Sequence, residues 1–200
     1  ISRLTRLLRR ADLSTTCTGC TMPVRVCLLW FICETMLSAR MPSLRSVRLR
    51  GVMGVKWATP NPMRLQAAMS ASPSHIIWVG GLAETWAPTF YAVGARGFTS
   101  GLINVWPEHS VAINLALEAG DFTAARRLVG QMQVFEDIRA GEQGGSNVSG
   151  VKLALRLRGE DCGHARPPAA WPLADTDALR LQDFMRENGI LNITGSGDTT

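Results

Sequence analysis

Gly51-Val52-Met53-Gly54-Val55-Lys56-Trp57-Ala58 is the stretch from which the fold of this chain is read. The run is apolar and punctuated by glycine, the pattern of a short strand in a parallel sheet covered on both faces. One lysine interrupts it near the C-terminal end. A desolvated ammonium loses hydration that apolar neighbours cannot replace. One use of that cost is an amine free to attack a carbonyl and form a Schiff base. The structural alternative is a lysine that snorkels from the strand end or pairs with a carboxylate.

Lysine usage sharpens the point. Of 21 basic residues only Lys56 and Lys152 are lysine. Arginine cannot perform amine chemistry, so a position that needs a Schiff base cannot be filled by it.

Outward from this strand the chain alternates. The spacing predicts a strand over Val52–Ala58, a turn through Thr59-Pro60-Asn61-Pro62 and a helix over Met63–Ala71. A second strand is expected from His75 to Gly81, a helix over Glu84–Val93, and a third strand over Phe98–Ser100. Longer helices follow over Pro107–Ala119, Phe122–Ala140, Val148–Arg158 and Asp175–Asn188. Strands alternating with helices through short connections predict βαβ units. The fold class expected is α/β: a partial (β/α)8 TIM barrel of three βα units with a C-terminal helical extension, which the resemblance given below makes the last three.

Composition divides the chain. It has 200 residues, 46% hydrophobic and 18% charged, enough to bury a sizeable core. Residues 1–50 hold nine arginines against two acids, whereas residues 51–200 hold twelve basic residues against fourteen acids. The net charge of +5 therefore belongs to the first quarter, and the rest offers no electrostatic reason to expect nucleic acid or an anionic membrane. Four of five cysteines, Cys17, Cys20, Cys27 and Cys33, also fall in that quarter, with only Cys162 beyond. This is no even disulfide framework, and no stretch approaches the roughly 20 apolar residues of a membrane span. The compartment expected is the cytoplasm.

Three segments result. Residues 1–50 are an atypical Arg/Cys-rich segment, disordered or out of frame, in which Ser2–Leu13 suggests an amphipathic helix and Met22–Phe31 a strand. Residues 51–191 carry the barrel part, and 192–200 are a flexible tail.

In a barrel, residues at the C-terminal ends of strands face the active site. Lys56 sits there on the first clear strand. Gly80-Gly81 ends the second without a side chain, so a substrate or the lysine can approach the backbone. Thr99-Ser100-Gly101 offers hydroxyls and backbone N–H groups on the third, with Asn104 following.

Taken together these residues resemble the dihydrodipicolinate synthase / N-acetylneuraminate lyase family of class I Schiff-base aldolases and dehydratases. The resemblance is carried by Gly54-Val55-Lys56-Trp57-Ala58, by Trp78-Val79-Gly80-Gly81-Leu82-Ala83-Glu84, and by Gly94 through Val105 with Pro107-Glu108. Val151-Lys152-Leu153-Ala154-Leu155 and Arg166-Pro167-Pro168 to Pro172-Leu173 complete the ordered set. It implies a barrel with Lys56 on strand six, attacking the ketone of pyruvate or another 2-keto acid. Gly80, Gly81 and Leu82 would line the pocket from strand seven, and Ser100, Gly101 and Asn104 from strand eight. No cofactor and no metal are implied, the partner is a small-molecule 2-keto acid, and the complete barrel is a homo-oligomer. The Phe98-Thr99-Ser100-Gly101 variant resembles 5-dehydro-4-deoxyglucarate dehydratase-like members more than the lysine-biosynthesis enzyme.

Two departures stand beside the resemblance. The family's Gly-Thr-Thr loop for the keto-acid carboxylate has no counterpart, and strands one to four are absent from the chain. The family's relay tyrosine on strand five falls in the neighbourhood of Cys27 and Leu28, while the only tyrosine, Tyr91, lies on a later helix. The expectation is therefore an incomplete chain with little or no turnover of its own; the alternative function is a catalytically inactive fragment or structural remnant.

Other motifs are weaker. Cys17-x-x-Cys20 with Cys27 and Cys33 lacks the second pair spacing of a zinc site. Asn147-Val148-Ser149 is a glycosylation sequon without meaning in a cytoplasmic chain. Gly141 to Ser146 is a flexible loop, with no lysine at the offset a phosphate loop requires. His75, His109 and His164 are dispersed and are expected to be structural or on the surface.

Overall fold

Three strands hydrogen-bond side by side in sequence order, all parallel: β1 (Leu29–Cys33), β2 (Val52–Trp57) and β3 (Ile77–Gly80). The structure is a computed structural model that describes residues 29–33, 52–167 and 171–191. The expected Ser2–Leu13 helix, the Cys17/Cys20 pair and the 192–200 tail lie outside those residues. So do Cys27 and Leu28. The sheet does not begin at Gly51, because β1 comes from within the Arg/Cys-rich first quarter and pairs Ile32 with Lys56.

Local chemistry explains the element boundaries. Helix α1 (Pro62–Ser70) starts where Asn61 accepts a hydrogen bond from the Arg64 N–H at 2.9 Å and Pro62 presets the first helical turn. Helix α2 (Ala83–Ala92) follows β3 at once. The expected strand over Phe98–Ser100 shrinks to a single parallel bridge between Gly80 and Phe98. The reason lies in the next residues: the Ser100 hydroxyl accepts from the Ile103 N–H at 3.3 Å and draws the chain into a 3-10 turn over Leu102–Asn104.

Helix α3 (Pro107–Glu118) matches its expectation closely. The single helix expected over Phe122–Ala140 is two, α4 (Phe122–Gln131) and α5 (Gln133–Ala140), divided at Met132. The bend there brings Ala125, Met132, Phe135 and Ile138 into one core, all essentially sealed from solvent. Burial of that set outweighs the hydrogen bonds a straight helix would keep. Helices α6 (Asn147–Leu157) and α7 (Asp175–Glu187) close the layer, with α5 packed on both.

Two cores result. The smaller joins Val55, Trp57 and Trp78 of the sheet to Leu65 and Phe90. The larger is helical and centres on Ile113, Phe135, Leu181 and Met185. Helix α2 bridges them, giving Phe90 to the first and Ala87 and Tyr91 to the second. Val55 and Trp57 bury one face of β2, so the strand's two-residue alternation leaves Lys56 on the other. Fold and burial thus agree with an α/β class. Among the described residues no helix is long and apolar enough to cross a membrane.

Candidate active site

Lys56 is half-buried at the C-terminal end of β2, in register with Val79 of β3 and Ile32 of β1. Among the described residues its amine makes no hydrogen bond or ion pair. The chain's other lysine behaves oppositely: Lys152 donates to the carbonyls of Cys162, Gly163 and His164 at 2.8, 3.4 and 3.1 Å. One lysine is spent holding a loop, and the other is left available.

Gly81 makes room for Lys56. A Cβ on Gly81 would stand 2.8 Å from the Lys56 Cε and 3.0 Å from the Ala58 Cβ. The lysine stem therefore lies across bare backbone, as the glycine pair suggested. Gly80 differs. A Cβ there would meet the buried Phe90 ring at 2.9 Å, so its missing side chain serves the smaller core.

Lys56 opens into a cleft of about 560 Å³, whose strand-end wall includes Gly81, Leu82, Ser100 and Gly101. Gly80 and Asn104 are not among its lining residues. The Asn104 side chain instead donates to the Gly101 carbonyl at 3.1 Å, bracing the 3-10 turn. Just past Leu82, Ala83 adopts a left-handed φ of +58°, a strained position for a residue with a Cβ.

The opposite wall is helical. Glu136 and Arg139 of α5 and Asn147, the first residue of α6, face the same cleft. Arg139 and Glu136 form an ion pair one helical turn apart, with side chains 12% and 14% exposed. The Asn147 amide oxygen accepts from Arg139 Nε at 3.0 Å and from Nη2 at 2.6 Å. Gly101 is to Arg139 what Gly81 is to Lys56, for a Cβ there would lie 2.6 Å from the Arg139 Cζ.

Burial lifts the Glu136 carboxyl above the usual carboxylate range; Arg139 draws it back without cancelling the rise, and Glu84 and Asp137 add to it. Glu84 lies at the start of α2, fully buried, accepting from the Ser110 hydroxyl at 2.5 Å. Among the described residues its second carboxyl oxygen has no hydrogen-bond partner.

None of Glu136, Arg139 and Asn147 reads as a site residue in sequence, where Asn147 belongs only to a sequon. They are brought in by the turn at Glu142–Gly144, where Glu142 and Gln143 take φ near the left-handed region, at 51° and 56°. Tyr91 is elsewhere, in a separate hollow with Arg96 and Glu118, its hydroxyl donating to Asn114 at 2.6 Å. Burial and Glu118 push its hydroxyl upward, which makes it a poor proton donor. His109 stacks on Trp106 and bonds the Leu128 carbonyl at 2.8 Å, a structural role. Among the described residues no group of three side chains is arranged to hold a metal ion.

A model of the dihydrodipicolinate synthetase family matches residues 40–187. The chain is 34% identical over 146 residues to a probable 5-dehydro-4-deoxyglucarate dehydratase of Streptomyces avermitilis, covering 71% of this chain and 43% of that protein. It is 35% identical over 138 residues to an uncharacterized DapA-like lyase of Halobacterium salinarum, covering 69% and 43%. The chain thus spans less than half the length of these relatives.

Solved structures give the same result. Dihydrodipicolinate synthase from Oceanobacillus iheyensis superposes with a TM-score of 0.67 at 36% identity, over 72% of this chain and 49% of that one. The enzyme from Bacillus clausii gives 0.71 at 30% identity, over 81% and 54%. A parallel sheet ending in an open lysine, a glycine beneath it, and a match running through most of the chain place this protein in the dihydrodipicolinate synthetase family.

Proposed function

We propose that this chain carries the Schiff-base half of a lyase acting on a 2-keto acid, on the last βα units of a (β/α)8 barrel. Lys56 is the nucleophile. Its amine adds to the ketone, water leaves, and a protonated imine forms. The imine draws electrons from the adjacent carbon. Either a C–C bond breaks or forms there, or a proton leaves that carbon as a hydroxyl leaves the next, which eliminates water. Hydrolysis of the imine returns the free amine. The relatives' names favour elimination, with an acyclic keto sugar acid as substrate; the cytoplasm as compartment belongs to the same reading. Assembly of complete barrels into a homo-oligomer belongs to the same reading.

The observation that carries the proposal is the Lys56 amine, unpaired among the described residues, held over Gly81 at a strand end and open to the cleft. Borohydride reduction in the presence of pyruvate tests it. A covalent adduct mapped by mass spectrometry to Lys56 is expected, and Lys56→Arg should abolish it. Reduction without an adduct, or an adduct that survives in the variant, overturns the proposal.

A second reading keeps the imine and loses the turnover. Tyr91, the only tyrosine of the sequence, lies in another hollow and cannot relay a proton to Lys56. Adduct formation without product release would select this reading; release of product would eliminate it.

A further inference from the structure

Helix α6 also walls a second hollow, which shares no lining residue with the cleft of Lys56. Ser149, Lys152, Leu153 and Arg156 recur at i, i+3, i+4 and i+7, so one face of the helix is turned to it. The loop residues from Gly163 to Ala165 and Ala178 of α7 help to enclose about 250 Å³. That is below the range of drug-sized sites and suits a small molecule.

The hollow is cationic. Lys152 and Arg156 line it, and no carboxylate does. Lys152 donates its three ammonium hydrogens to the carbonyls of Cys162, Gly163 and His164, which orient the charge without cancelling it. Asp161 stands 3.8 Å from Arg156 Nε, too far for a hydrogen bond, with its side chain 70% exposed. Its Oδ1 accepts from the Gly163 N–H at 2.8 Å instead. Both terminal nitrogens of Arg156 are therefore uncommitted. Among the described residues the Ser149 hydroxyl and the His164 ring have no hydrogen-bond partner either.

These donors match one kind of anion. The Arg156 fork offers two hydrogens to a pair of oxygens, and Ser149 and His164 offer one each. A carboxylate has about four lone-pair sites to receive them. The rest of the lining is apolar, with Leu153, Pro172 and Leu173 placed to cover a short hydrocarbon chain. A bare phosphate would leave that surface unused.

We propose that this hollow binds a small aliphatic monocarboxylate. Arg156 grips the carboxylate with Ser149 and His164, the Lys152 charge adds its attraction, and the chain lies on Leu153 and Leu173. Bound there, the ligand joins α6 to the loop that precedes α7 and stabilises the folded chain by mass action. The site is independent of the chemistry assigned to Lys56.

Titration calorimetry on the purified protein decides it, with butyrate as the probe and butyramide as its uncharged counterpart. Butyrate has no ketone, so no imine can contribute. The wild type should bind butyrate with a Kd on the order of 1 mM and butyramide at least about tenfold more weakly. Arg156→Gln should weaken butyrate binding about tenfold, Ser149→Ala about threefold, and Arg156→Lys, which keeps charge without the fork, should fall between the wild type and Arg156→Gln. Arg156 is exposed, so its variants should fold, and their circular dichroism spectra check this. No binding of butyrate, equal binding of butyramide, tighter binding of inorganic phosphate, or undiminished binding in Arg156→Gln overturns the proposal. Binding lost in Arg139→Gln but kept in Arg156→Gln would put butyrate in the cleft of Lys56 and overturn it as well.

Discussion

The two walls of the cleft use the same device on different scaffolds. On the strand side Gly81 yields its side-chain space to Lys56; on the helical side Gly101 yields its own to Arg139. Among the described residues the lysine has no partner, as suits a nucleophile. The arginine is tied by Asn147 and Glu136, as suits a group that must stay in place. The difference teaches that a cation's function here is set less by its burial than by what its polar hydrogens are already doing.

That comparison can be broken from either side. The largest effect expected is the total loss of adduct in Lys56→Arg already described, since no other group in the strand wall is an amine. Next is Gly81→Ala. The new methyl would displace the end of the flexible Lys56 side chain rather than a core residue, so the fold should survive while the amine moves. Misplacement on the scale of an ångström should slow adduct formation about a hundredfold. Trapping kinetics beside an unchanged circular dichroism spectrum would establish this; wild-type kinetics would show that the glycine does not position the lysine.

Gly101→Ala makes the matching change on the other wall. It should dislodge the Arg139 guanidinium from Asn147 and Glu136 and lower stability by about 1–3 kcal/mol, read by denaturant unfolding. Wild-type stability would mean that the Gly101 contact is incidental.

The smallest effect concerns Glu136 and is seen as stability against pH. A carboxyl whose folded value is raised by burial favours the folded state while protonated. That contribution is complete below the ordinary value of 4.5 and is lost as pH rises through the higher folded value. Glu136→Gln cannot ionise. The wild type should therefore lose stability relative to this variant as pH rises through that window, measured by denaturant unfolding at a series of pH values. A difference independent of pH would show that Arg139 fully compensates the buried charge.

The strand wall was largely legible. Lys56 was conspicuous as a lone charge in an apolar run, and Gly80-Gly81 as a side-chain-free strand end. The division of labour within that pair was not, because only packing reveals that Gly80 faces Phe90 and Gly81 faces Lys56. Asn104 looked like a pocket residue because it follows Ser100-Gly101 in sequence; a local hydrogen bond to Gly101 turns it to the backbone instead. The third strand failed for a similar local reason, the capture of Ile103 by the Ser100 hydroxyl.

The helical wall left no such trace. Arg139 and Glu136 read as an ordinary charged face, and Asn147 as an unused sequon. Sequence by itself determined the alternation of strands and helices, the lysine at a strand end and the family, because periodicity and short motifs are local properties of the chain. Only the tertiary structure decided what faces that lysine. The bend at Met132 and the left-handed turn after α5 bring residues far from Lys56 in sequence into its cleft, and such closures are set by which surfaces bury best together.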